Sequence, residues 1–209
     1  MILKDGYPFI LAALGVAVFI GLVVDPYWAI VPVVLMLYFA YFFRDPEREI
    51  PDDENVIVSP ADGKVMEVVP VADDDFVGEP SNKVVIFLSI FDVHINRSPM
   101  KGIIKIQSYI CGRFRPAYKD EVGFENERHM IGIENDKMRV TVTQIAGILA
   151  RRIISWVTID DVLEKGERYG LIKFGSCTEI VMPQRVDVLV KKGDKVIGGE
   201  TIIGRIRDV

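Results

Sequence analysis

The stretch Val186–Ile206, VDVLVKKGDKVIGGETIIGRI, decides how the chain folds. Its short valine- and isoleucine-rich runs are broken at Gly193-Asp194 and at Gly198-Gly199. Runs this short, β-branched and punctuated by glycine, predict strands joined by tight turns. The same texture runs backwards through Asn55–Val69 (NVIVSPADGKVMEVV), Asn82–Ile90 (NKVVIFLSI), Lys101–Ile110 (KGIIKIQSYI), Lys137–Ile145 (KMRVTVTQI) and Ser155–Val162 (SWVTIDDV). Only Ala146–Ile153 (AGILARRI) leaves a choice between a short helix and another strand. The expected fold is therefore mainly β with few short helices.

The first quarter of the chain reads differently. Tyr7–Val24 is eighteen residues without a charge, Asp25-Pro26 follows, and Tyr27–Phe43 adds seventeen more before Arg44. As helices these would be roughly 25–27 Å long, close to the ~30 Å hydrocarbon core of a bilayer. Pro26 breaks the helix, so an N-terminal hydrophobic hairpin is expected over residues 1–45, with a β-rich domain over 46–209. The first run is too long for a signal-peptide core and lacks a small-x-small site after it. Lys4, Arg44 and Arg48 flank the hairpin, which by the positive-inside rule predicts both ends on the cytoplasmic side of the cell membrane. Two buried core helices have the same composition, and Pro32 would also suit a re-entrant hairpin.

A net charge of -5 argues against a nucleic-acid binder, which would carry a basic face. Positive charge is nonetheless clustered at Arg113, Arg115, Lys119, Arg128, Arg139, Arg151 and Arg152. The cluster suits either a lipid phosphate or a solvated face among neighbouring acids. Two cysteines, Cys111 and Cys177, show neither a disulfide framework nor C-x-x-C spacing, which fits a reducing compartment.

Few residues stand out for chemistry. Asp62 precedes Gly63 in SPADGKV, where such a pair is ordinarily a turn. His94, in FDVHINRSP, directly follows an apolar run and could be a structural residue or a base. His129, in NERHMIGIEN, has less around it, and a two-histidine metal site would need a further ligand cluster that no spacing provides. Gly175-Ser176, in KFGSCTEIVMP, is either a turn between strands or a peptide bond made to be broken.

Two resemblances bear on these choices. Val190–Gly204 (VKKGDKVIGGETIIG) looks like the hammerhead repeat of lipoyl and biotinyl barrel-sandwich domains, and SPADGKVMEVV resembles a weaker copy. A swinging-arm carrier would present its lysine in a Met-Lys-Met or Asp-Lys-Ala tripeptide, and neither occurs. Taken in order, FFRDPERE, VIVSPADGKV, FDVHINRSP, NER, IAGILARRI and GERYGLIKFGS resemble the short form of phosphatidylserine decarboxylase, a group that includes enzymes acting on archaetidylserine. The likeness runs from about Phe42 to about Val190.

That resemblance implies a proenzyme that cuts itself at Gly175-Ser176. The products would be a β chain of residues 1–175 and an α chain of residues 176–209, held as a heterodimer or a higher oligomer. Ser176 would become a pyruvoyl group, with no external cofactor or metal. It would take the amine of a membrane serine phospholipid as a Schiff base and accept the electrons released as carbon dioxide leaves. His94 would be the base, with Asp62 holding its tautomer. Many longer members carry a second histidine where this chain has Arg97, and short members commonly have Asn and Arg where it has His129 and Cys177. Arg128, Arg113, Arg115 and Arg97 are the candidates for phosphate or carboxylate contacts. The rival reading is a non-enzymatic membrane adaptor on a hammerhead-like β domain, in which Gly175-Ser176 is only a turn.

Overall fold

The structure is a computed structural model that describes residues 1–72, 74–112, 126–147, 152–173 and 176–207. It divides into two compact units, Met1–Glu47 and Arg48–Val209.

The first unit is a helical hairpin. A 3-10 turn, Lys4–Gly6, leads into α1 (Tyr7–Val23), and α2 (Ile30–Phe42) returns. Phe9 near the start of α1 packs against Phe39 and Phe43 at the end of the second arm, and Leu3 N–H donates to the Phe43 carbonyl. Most of the outward surface is apolar, with Leu11, Phe19, Leu22, Val31 and Leu37 exposed. Lys4–Val23 is long and apolar enough to cross a membrane. The second arm is shorter than its uncharged run, because Asp25 and Tyr27 form a turn that delays the helix to Ile30. Thirteen residues make about 20 Å, short of a full span. Pro32 lies in the first turn of α2, where its missing N–H costs nothing.

The second unit is mainly β, as expected. Its largest sheet is antiparallel and has eight strands among the described residues, in the order β13 (Lys195–Val196), β2 (Gly63–Val71), β3 (Ser81–Leu88), β11 (Ser176–Pro183), β7 (Arg139–Ala146), β6 (Arg128–Glu134), β5 (Gly102–Ile110) and β9 (Val162–Leu163). Alternation sends Val84, Ile86 and Leu88 of β3 inward to meet Ile131, Ile133, Val142 and Ile180 in one core. Two smaller antiparallel sheets accompany it. One is β1 (Val56–Val58), β14 (Ile202–Ile206) and β12 (Val186–Val188), and the other is β4 (Ile95–Arg97), β10 (Arg168–Lys173) and β8 (Arg152–Ser155).

The two hammerhead-like copies pair with each other. β1 lies against β14 and β2 against β13, so each strand–turn–strand clasps the other. Between them Gly199 N–H donates to the Ser59 carbonyl and Ser59 N–H to that of Thr201. Gly63, with φ +153°, is demanded by the close approach of β3, since a Cβ there would sit 2.2 Å from the Phe87 carbonyl oxygen.

Of AGILARRI, left open between helix and strand, the end belongs to strand β8 and the middle lies outside the described residues. Ser155–Val162, expected as a strand, is mostly a turn, because the Asp161 carboxylate takes Thr158 N–H at 2.7 Å and Asp160 adopts φ 70°. Tyr169 is wholly buried in the core with its hydroxyl unpartnered among the described residues. Removing that unpaired group in Tyr169→Phe should raise unfolding free energy by about 1–2 kcal/mol in a denaturant titration.

Candidate active site

The chain crosses between the same two sheets twice. β3 of the large sheet leads through residues 89–94 into β4, and β10 beside β4 is followed in the chain by β11 beside β3, residues 174–175 between them lying outside the described residues. His94 stands on the first crossing and Ser176 follows the second. Ile172 N–H donates to the His94 carbonyl, which ties the first crossing to β10 four residues before Ser176.

Ser176 opens β11, between Leu88 of β3 and Ala146 of β7. It is completely buried and its hydroxyl has no hydrogen-bond partner among the described residues. Leaving such a group unpaired costs about 1–3 kcal/mol, so it calls for a functional explanation. His94 is also completely buried, with Nδ1 3.0 Å from the Asp92 carbonyl. A carbonyl can only accept, which puts a hydrogen on Nδ1 and leaves Nε2 as the acceptor nitrogen of the neutral ring. Asp92 is itself fixed by its carboxylate, which takes Ser89 N–H at 2.8 Å.

Asp62 was expected to hold the His94 tautomer, a contact made here by the Asp92 carbonyl. Its carboxylate takes Arg48 Nη2 at 2.8 and 2.9 Å and Gly198 N–H at 2.8 Å. Burial raises its pKa more than Arg48 lowers it, and the nearby Asp92 charge adds to the rise. Asp62 therefore stands close to the histidine turn while anchoring the segment that carries Arg48.

The arginines separate by register. Arg97 donates to the Gly166 carbonyl at 3.0 Å and is largely buried, clamping two turns. Arg128 lies in one cross-strand row with Ile145 and Cys177, so it shares the face of Cys177, opposite to that of Ser176. Arg113, Arg115 and Gly175 lie outside the described residues. Cys177 is buried and burial pushes its thiol pKa far up, so it packs as a neutral side chain.

The NER stretch has a definite task. Asn126 Nδ2 donates to the Ala146 carbonyl at 2.9 Å, and Ala146 N–H donates to the Glu127 carbonyl at 2.9 Å. The Glu127 carboxylate accepts from the Tyr109 hydroxyl and from Ile153 N–H. Asn126 and Glu127 thus fix Ala146, the neighbour of Ser176. On the other face Glu179 is packed near Lys83, 3.8 Å away, and burial raises its pKa despite Lys83 and Arg128. A raised carboxyl pKa means that stability from this group is lost as pH climbs from about 4.3 through the folded value. Glu179→Gln should therefore melt above the native chain at pH 7, with the difference closing near pH 4.

Sequence reading passed over Arg48, Asn96, Gln144 and Thr178 and set His129 aside. The available signal was a polar residue at a buried position of an apolar strand, as in TVTQI.

A buried hydroxyl without a described partner at the head of β11, next to the strand that follows the histidine-bearing crossing, is the candidate for a reactive group here. The family profile described as Phosphatidylserine decarboxylase matches residues 35–204. A phosphatidylserine decarboxylase proenzyme of Symbiobacterium thermophilum is 47% identical over 209 residues, covering 99% of this chain and 96% of that protein. The proenzymes of the same name from Carboxydothermus hydrogenoformans and Syntrophus aciditrophicus are 46% and 40% identical, covering 98% and 97% of this chain and 96% of each protein. The chain belongs to the phosphatidylserine decarboxylase family.

Proposed function

We propose that this chain is a membrane-associated, self-processing decarboxylase that converts a serine phospholipid to the ethanolamine phospholipid with release of carbon dioxide. Phosphatidylserine is the substrate carried in the names of its relatives, and archaetidylserine is the ether-lipid alternative. The observation that carries the reading is the buried Ser176 hydroxyl at the head of β11, which has no partner among the described residues.

His94 Nε2 takes the Ser176 proton, and Oγ attacks the Gly175 carbonyl carbon. The 175–176 C–N bond breaks, leaving Gly175 as an ester on Ser176. Loss of the Cα proton expels the Gly175 carboxylate by β-elimination, and one water then replaces the nitrogen, released as ammonia. The surroundings suit the resulting pyruvoyl group, since Leu88, Ala146 and Ile172 are all buried there. When present, that group supplies a carbonyl for the substrate amine and a sink for the electron pair left by carbon dioxide. Residues 176–207 contribute β11 to β14, and β11 is flanked along its length by β3 and β7, so the cut chains would remain a heterodimer.

His94 is the acid and base of both stages, Asp62 holds charge beside its turn, and Arg97 and Arg128, with Arg113 and Arg115, are the cations offered to the headgroup. The exposed apolar surface of α1 fits insertion into the cell membrane, with Lys4 and Arg44 favouring a catalytic unit on the cytoplasmic side. The test is carboxyl-labelled lipid in mixed micelles with the purified chain. Labelled carbon dioxide from the diacyl or the dialkyl ether substrate is expected, and none from either would overturn the reading.

A further inference from the structure

Behind Ser176 a line of polar side chains crosses the interior. Gln107 Nε2 lies 2.8 Å from His129 Nε2, and His129 Nδ1 lies 2.8 Å from Gln144 Oε1. Gln144 Nε2 reaches Asn96 Oδ1 at 2.8 Å, and Asn96 Nδ2 reaches Thr178 Oγ1 at 2.9 Å. His129, Gln144, Asn96 and Thr178 are each no more than 2% exposed.

Carbonyls at the two ends fix the direction of every bond. Gln107 Nε2 also faces the Val157 carbonyl at 3.1 Å, so its N–H groups point along the line and His129 Nε2 must accept. His129 then carries its hydrogen on Nδ1 and donates to Gln144. Gln144 donates to Asn96, whose amide nitrogen faces Thr178 and, at 3.4 Å, the Pro60 carbonyl. Turning any amide over would set oxygen against oxygen at one end. A charged His129 has no place here, since a second N–H would meet Gln107 Nε2, and burial accordingly lowers its pKa. Hydrogen bonds aligned in one sense reinforce one another.

Register shows what the line spans. Gly170 of β10 pairs with Asn96, and a Cβ on it would touch the Gln144 amide at 2.9 Å. Two residues on, Ile172 bonds the His94 carbonyl and packs with Ala146, the β-partner of Ser176. Since alternate residues share a face, Asn96–Thr178 is the level next to that of His94 and Ser176.

We propose that Gln107, His129, Gln144, Asn96 and Thr178 are positioning residues for chain cleavage, holding the strand of His94 at a fixed spacing from that of Ser176, with His129 as the neutral central link. The proposal rests on the self-processing reading above. Small displacements of a nucleophile are costly, about a hundredfold for one ångström.

The test follows cleavage of the full chain in detergent by intact mass. Thr178→Val should cut on the order of ten- to a hundredfold more slowly with its melting midpoint kept, and Thr178→Ser, which restores Oγ, should return close to the native rate. Native-rate cutting by Thr178→Val would overturn the proposal. A second arm records the His129 ring nitrogens by 15N NMR in uncut Ser176→Ala protein, where a neutral ring protonated on Nδ1 at pH 7 is expected. A ring charged, or protonated on Nε2, would overturn the relay even if Thr178→Val failed to fold. A native chain that never cuts would overturn the cleavage reading, and it is told apart because the NMR arm needs no cutting.

Discussion

Replacing His94 by alanine is expected to slow chain cleavage by about 10²–10⁴-fold, the usual worth of a positioned general base. The reason is local. Ser176 has no described partner for its hydroxyl, and the Asp92 carbonyl orients the His94 ring so that Nε2 is the nitrogen able to accept a proton. A structural part for His94 is separated by His94→Asn, which keeps an N–H for the Asp92 carbonyl but offers no base. Time courses by intact mass should find both variants equally slow and the asparagine variant nearer to native in melting midpoint. Native-rate cutting by either would remove His94 from the mechanism.

The second large effect is expected at Gly170. A methyl group there would stand 2.6 Å from the Ile154 carbonyl oxygen and 2.9 Å from the Gln144 amide nitrogen. Ile154 belongs to β8, paired with β10 on one side, and Gln144 lies in the large sheet beneath, so neither neighbour can give way cheaply. Gly170→Ala should lose about 1–3 kcal/mol of stability, as overpacked interiors do. It should also cut more slowly than that loss explains, because β10 delivers the chain to the cleavage point three residues after Ile172. Chemical denaturation and the cleavage time course, run on one preparation, separate the two effects.

Much of this architecture was legible in the sequence. The β-branched runs and their Gly-Asp, Gly-Gly and Asp-Gly breaks gave β1, β2 and β12 to β14, since turn chemistry and alternation are local properties. The apolar hairpin was equally plain, although the length of α2 depended on a turn around Asp25 that composition does not register. Ser176 and His94 were found through ordered stretches of sequence. That they stand on neighbouring strand connections, His94 before β4 and Ser176 at the head of β11, is a matter of topology that no local pattern reports. Arg128 was favoured because it closes the NER stretch, and its face is set by the pairing of β6 with β7, which appears only once register is known. His129 was set aside for want of neighbours in sequence, and its partners Gln107 and Gln144 come from the two flanking strands. Buried polar networks of this kind are assembled from positions far apart in the chain, each unremarkable alone.

The most direct test of the account is the intact mass of the purified chain with and without Ser176→Ala. The native 23.5 kDa chain is expected to separate into fragments of residues 1–175 and 176–209, the smaller blocked at its N-terminus by pyruvoyl, while the variant stays whole. A native chain that remains one uncut species in lipid-containing, active preparations would contradict it.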